Sequence, residues 1–245
     1  MDEVEAIERA TLAAVPPQRL VPWEQWLLAF DDGTVGRCHS AVPLHHDAPA
    51  PGALAAIERR YADAGLPAVL RVPESAAFDG LRAELQAQGY RRAKPTLVQI
   101  GHVAGLTGGD LPGSDVQVAD TASADWEQVF LGEGFDPADG ASRLAILRRG
   151  HDSVFASVRT HGRTVAVGSA CFSGGWCGVH GMRTLPAHRG RGLAADVLAA
   201  LGRAAQDRGV ERCFLQVQQD NAAARSLYTA RGFATAWKYW YWKKP

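Results

Sequence analysis

Between residues 154 and 160 apolar and polar positions alternate, with Val154, Ala156 and Val158 on one face. That is the period of a half-buried strand. Residues 164–172 and 177–184 read as two more strands, joined by the turn Ser173-Gly174-Gly175-Trp176. The period then changes. Over residues 192–208, Leu193, Val197, Leu201 and Ala205 recur every four positions, which predicts a helix with one buried stripe. A strand at 213–218, a helix at 221–231 capped by Gly232, and an aromatic strand "AWKYWYW" close the chain. Upstream, a short strand at 116–118 precedes helices at 122–131 and 141–149, with "GEGFDPADG" between them. Strands and helices interleave throughout, so the fold class is α/β in the broad sense, α+β in the strict one.

Residues 101–114, "GHVAGLTGGDLPGS", are dense in Gly, contain a Pro and follow neither period, so a domain boundary is expected there, dividing the chain into 1–105 and 106–245. Both parts close in the same order: helix, Gly, short apolar strand, helix, Gly-aromatic, final strand. Gly89-Tyr90 aligns with Gly232-Phe233, Val72 with Val217 and Arg60 with Arg203, with a two-residue slip after the strand. This internal similarity predicts a duplicated domain.

The bulk numbers narrow the partners. At 245 residues, two domains fit comfortably, and 47% hydrophobic residues suffice for real cores. Lys plus Arg equals Asp plus Glu, so no global positive field attracts nucleic acid or an anionic membrane, and neither is expected as a partner. Arg183, Arg189 and Arg191 nevertheless make a local basic patch. The acidic start "MDEVEAIERATLAAV" does not read as a secretory leader. No run of about 18 apolar residues marks a membrane span. Cys38, Cys171, Cys177 and Cys213 lack metal-ligand spacing, so no metal is expected, and they read as reduced, buried thiols of a cytoplasmic protein. A disulfide between Cys171 and Cys177, across the turn they flank, is the minority reading.

The stretch "HRGRGLAAD", 188–196, carries the candidate chemistry. Gly190, Gly192 and Ala195 fit G-x-G-x-x-A, a dinucleotide-binding turn. That turn must follow a strand directly, yet "TLPAH" intervenes, and the acid after the next strand lies about 30 residues on rather than about 20. The Walker pattern is absent. The offset register, Arg189-x-x-Gly192-x-Ala194, suits a helix N-terminus better. Its free amides and partial positive charge favour an anion, Gly190 and Gly192 allow close approach, and Arg189 and Arg191 add charge at the rim. The loop therefore reads as a diphosphate cradle.

This arrangement resembles the GNAT-superfamily N-acetyltransferases. Their acetyl-CoA motif [QR]-x-x-G-x-[GA] follows a strand that here reads "GVHGMRTLP", and their downstream pattern N-x-x-A-x-x-L-Y-x-x-x-G-F is matched by Asn221, Ala224, Leu227, Tyr228, Gly232 and Phe233. The resemblance is strong over 116–242 and weak before it. It implies two GNAT-like domains, each a mixed, mostly antiparallel twisted sheet flanked by helices. The first is a degenerate copy without the CoA loop, because it carries "PLHHDAPAPGAL" at the loop position and Leu85 at that of Tyr228.

The implied reaction is direct transfer of an acetyl group from acetyl-CoA to a primary amine of a small molecule: an amine, an amino acid or an amine-bearing antibiotic. Tyr228 would give a proton to the departing thiolate. Met182, Arg183 and Thr184 would pair through their main chain with the pantetheine arm, and Arg189, Gly190, Arg191, Gly192, Leu193 and Ala194 would hold the diphosphate. Asn221 would bond the pantetheine or cap its helix, capping being the more secure. His180 is the candidate base, with Glu133 and the pair His151-Asp152 as rivals. Glu133, Phe135 and Asp136 are expected to meet the acceptor amine. In the tail, Trp237, Tyr239 and Tyr241 share one face and Trp240 and Trp242 the other, as in a core strand between the two halves; an exposed aromatic face would instead suggest a homodimer. A peptide N-terminal acetyltransferase and a non-catalytic CoA-binding sensor are the competing functions.

Overall fold

The computed structural model describes residues 2–108, 115–132 and 136–245. The first half runs α1 (Glu3–Ala14), β1 (Arg19–Trp23), β2 (Trp26–Phe30), β3 (Ala41–Pro43), α2 (Ala53–Asp63), β4 (Leu70–Pro73), α3 (Asp79–Ala87) and β5 (Arg91–His102). A single helical turn, α4 (Val103–Leu106), follows. The second half runs β6 (Asp115–Ala119), α5 (Ala124–Leu131), α6 (Pro137–Arg149), β7 (Ser153–Thr160), β8 (Arg163–Ser173), β9 (Trp176–Thr184), α7 (Leu193–Gln206), β10 (Arg212–Gln218), α8 (Ala222–Ala230) and β11 (Ala234–Lys243). Sequence periods located these second-half elements to within a few residues.

All the described strands join one mixed sheet, in the order β1-β2-β3-β4-β11-β5-β10-β9-β8-β7-β6. Pairing is antiparallel except for β3 with β4 and β9 with β10. The two closing strands cross over. β11, from the second half, lies between β4 and β5, while β5, from the first, lies against β10. The aromatic tail is thus a core strand, flanked on both sides by strands of the first half. Its two faces divide as the alternation predicts. Trp237, Tyr239 and Tyr241 pack with Ile7 of α1, and Trp240 and Trp242 with the core under α2 and α3.

Helices cover both faces of the sheet. The largest core lies under α7 and α8, where Val197, Leu198 and Leu201 meet Val154, Ala156 and Val158. On the opposite face of the second half, Trp126 of α5 stacks on Phe130 and donates its indole N–H to the carbonyls of Ala156 and Gly168, each at 3.1 Å. Helix α1 bridges the halves, with Ile7 against Trp176 and Phe214 and Leu12 against Leu27 and Val42. The bridge contains a charged tie. Arg71 of β4, fully buried, donates to Glu8 of α1 at 2.6 Å and to Ser40 Oγ at 3.2 Å.

The Gly-rich segment differs from its expected irregularity at its start. β5 continues to His102, and α4 buries Leu106 against α7, where a Cβ on Gly202 would stand 2.6 Å from that of Leu106. Burial of two apolar residues, Val103 and Leu106, outweighs the local preference of the glycines for turns. Residues 109–114 lie outside the described residues. The four cysteines are buried and unbridged; Cys177 pairs in register with Phe172, and Cys171 with Gly178. No helix among the described residues is long and apolar enough to cross a membrane.

Candidate active site

The cleft is opened by one irregularity in β9. Ser169 of β8 faces His180 and Val167 faces Arg183, so Gly181 and Met182 together oppose the single residue Gly168. This is a bulge, and Gly181 sits at φ +63°, a conformation that favours glycine. Parallel pairing of β9 with β10 runs only from Trp176↔Arg212 to Val179↔Leu215. Beyond that point β10 continues against β5, with Gln216, Val217 and Gln218 opposite Val98, Leu97 and Thr96. The two strands part, and residues 180–184 of β9 line the resulting cleft of about 910 Å³.

The far wall of the cleft is the start of α7. Gly190 and Gly192 lie at φ +73° and +81°, and Gly192 is the N-cap with no side chain capping the helix. Ala195 N donates to Gly192 O at 2.8 Å, while no side chain caps the amides of Leu193 and Ala194, and the helix dipole favours an anion beside them. Around Gly190 an added Cβ would meet nothing within 4 Å, so the backbone is open to close approach. Arg189 is anchored by its Nε to Thr184 O at 3.2 Å, which leaves the rest of its guanidinium at the rim. Burial, with Arg143 and Arg189 close by, lowers the pKa of Arg183.

One cleft thus gathers Met182, Arg183, Thr184, Arg189, Gly190, Arg191, Gly192, Leu193, Ala194 and Asn221 with His180 and Tyr228. Asn221 caps α8, its Oδ1 accepting from Ala224 N at 3.2 Å. Tyr228 is nearly buried, its ring edge-on to Phe233, and burial pushes its phenol up to about 12. His180 is packed edge-on to Phe214 with its Nε2 unpartnered, and burial, aided by the nearby Arg37 charge, pushes it down to about 3. Its ring is neutral and only weakly basic. One rival, the pair His151-Asp152, lies elsewhere. His151 and Asp152 line a separate cavity with Glu127 and Arg148. Asp136 caps α6, accepting from Ala138 N at 2.9 Å and Asp139 N at 3.0 Å, while Glu133 and Phe135 lie outside the described residues.

Sequence reasoning missed a second cavity, of about 280 Å³, that adjoins the first. Arg143, Gln216 and Gln218 border both. Its other walls come from the first half and from β11, including Arg37, Lys94 and Tyr241. Gln216 stands where the cavities meet. Its Oε1 accepts from Arg37 at 3.2 Å and from Tyr239 OH at 2.9 Å, and its Nε2 donates to Thr11. One signal was present. In "LQVQ" the glutamines alternate with core-facing Leu215 and Val217, so a polar row had to face something other than that core.

Residues 2–242 match the family model described as "Probable histone acetyltransferase Rv0428c C-terminal". The chain is 26% identical over 238 residues, 96% of each chain, to an uncharacterized N-acetyltransferase, YobR, of Bacillus subtilis strain 168. Among solved structures it is similar to a GCN5-related N-acetyltransferase from Kribbella flavida, with TM-score 0.73, 21% identity and coverage of 100% of this chain and 96% of that one. It is also similar to a tandem GNAT protein from the clavulanic acid biosynthesis pathway, with TM-score 0.64, 15% identity and coverage of 98% and 94%. These two likenesses show that the chain has the fold of GNAT proteins, and the family model reaches further: the chain belongs to the Rv0428c C-terminal acetyltransferase family and is an N-acetyltransferase.

Proposed function

We propose that the protein transfers an acetyl group from acetyl-CoA directly to the primary amine of a small molecule. The observation that carries this reading is the union, in one cleft, of an uncapped helix N-terminus flanked by arginines and a tyrosine hydroxyl on the neighbouring helix. Acetyl-CoA supplies an acetyl carbon activated as a thioester, which a neutral amine attacks with release of the thiol. The α7 amides with Arg189 and Arg191 hold the diphosphate. The edge of β9 over 182–184, parted from β10, offers main-chain groups to the pantetheine arm and an amide to the developing oxyanion. Tyr228, pushed up to about 12, stays protonated at neutral pH and gives its proton to the departing sulfur. His180, held neutral and too weakly basic to take the amine's proton, accepts a hydrogen bond that orients the amine, and the proton leaves to water.

Two measurements test this. Acetyl-CoA raises the melting temperature at saturating concentration, and no shift removes the cofactor. With a good acceptor, Tyr228→Phe slows thiol release by about a hundredfold while the melting temperature with acetyl-CoA is kept. An unchanged rate removes Tyr228 as the acid.

A further inference from the structure

The second cavity has a one-sided chemistry. Arg37, His39, Lys94, Arg143 and Lys243 contribute to its lining, and no carboxylate does among the described residues. The acids that act on its groups are already engaged. Asp31 is held by Arg149 at 2.6 Å and by the Gly33 and Gln18 amides, and Asp139 by Arg143 at 2.8 Å. Arg37, on the 3₁₀ turn Gly36–His39, has its Nε buried with no acceptor. Its terminal Nη1 donates only to the neutral Gln216 Oε1, at 3.2 Å, so no carboxylate compensates this half-buried charge among the hydrogen bonds it makes.

Lys94 is placed there by a distortion. β5 bulges against β11 between the pairs Thr96↔Tyr239 and Ala93↔Tyr241, and within the bulge Lys94 adopts φ +51°, unusual for a side-chain-bearing residue. Bulges re-aim side chains, and strain of this kind persists where the surroundings hold it. Lys243, at the end of β11, brings a further cation from a distant part of the chain. Cations from three separate segments border one small cavity, with Arg37 half-buried in its wall and Lys94 and Lys243 exposed at its rim, and their summed field favours an anion there. The cavity shares Gln216, Gln218 and Arg143 with the cleft that holds Tyr228 and His180, so one small molecule can reach from one to the other.

We propose that the second cavity binds the anionic end of the acceptor, a carboxylate, so that the amine acetylated belongs to an amino acid or another small carboxylate-bearing amine. This rests on the acetyl-transfer reading above. The probes are phenylalanine, leucine, β-alanine and γ-aminobutyrate, each beside its amide or decarboxylated partner, with a lysine-rich peptide as a cationic acceptor. Thiol release from acetyl-CoA should favour the acids over their partners by about tenfold or more in kcat/KM. Lys94→Gln and Lys243→Gln should collapse that ratio, and Lys94→Arg and Lys243→Arg should keep it. Equal or faster rates on the carboxylate-free partners or the peptide, or a ratio unmoved in both Gln variants, would overturn the proposal. Should no amine release thiol, small-amine acetyl transfer has failed, and calorimetric titration of the same acids into protein saturated with CoA decides the anion site. Binding that is lost in the Gln variants upholds it, and no binding of any acid overturns it.

Discussion

The two halves end and begin their paired helices alike, yet only one opens the cleft lined by Arg189, Arg191 and Tyr228. α2 starts at Gly52, φ +79°, and α7 at Gly192, φ +81°, neither with a side-chain cap. α3 ends with Tyr90 N donating to Leu85 O at 2.9 Å, and α8 with Phe233 N donating to Tyr228 O at 3.0 Å, each through a glycine at positive φ. The same backbone motif therefore presents Leu85, fully buried, where the other half presents Tyr228 to the cleft. Before the helix, Pro49 and Pro51 stand where Arg189 and Arg191 do, removing both the charge and two N–H groups. β3 and β4 pair at Ala41↔Leu70 alone, whereas β9 and β10 pair firmly before parting. What the fold needs, a glycine cap and a closed helix end, has been kept in both halves. The arginines and the tyrosine that line the cleft are found in one.

The halves are unequal in chemistry but joined in structure, and separating them is the harshest test. A fragment of residues 106–245 lacks β5, which covers β10 on one side and β11 on the other. It should fail to give a soluble species with a cooperative melt, because a bare central edge invites aggregation. A fragment that melts cooperatively and binds acetyl-CoA would break the comparison at its root.

A milder test strikes the seam. Arg71→Met leaves Glu8 buried without its partner and should cost about 3–5 kcal/mol in denaturant unfolding, whereas replacing both residues with Met should recover most of that loss. If the single variant unfolds at the wild-type midpoint, the ion pair is not what ties α1 to β4.

The second half was legible because its signals are local. Alternation in 154–160, the four-residue stripe of α7 and the offset Arg189-Gly192-Ala194 register each depend on neighbours within a turn or two, and the structure brings the cofactor candidates into one cleft. The strand crossover was not legible, since which strand β11 pairs with depends on partners far along the chain, and its alternation only showed that both faces are covered. The second cavity was hidden for the same reason. Arg37, Lys94 and Gln216 belong to three segments without a shared motif, and only the sheet order makes them neighbours. His180 shows a further limit: the sequence put it on the strand leading into the motif, but burial, which sets its basicity, belongs to the tertiary fold.

The finest test compares the two cap glycines directly. Gly52→Ala and Gly192→Ala each force a Cβ into a left-handed conformation and should each cost about 1 kcal/mol of stability. Their effects on ligand binding should differ. Around Gly52 an added methyl meets nothing within 4 Å, and no role in the cleft falls to that loop, so the shift in melting temperature given by acetyl-CoA should survive. Gly192 is the N-cap of α7 and lines the cleft, so any relaxation of its φ turns the first-turn amides away from where the proposed diphosphate would sit. Affinity for acetyl-CoA should therefore fall by about tenfold or more in that variant alone. Equal losses of affinity in both variants would mean that the glycines act only as caps, and that the difference between the halves lies in the arginines and Tyr228.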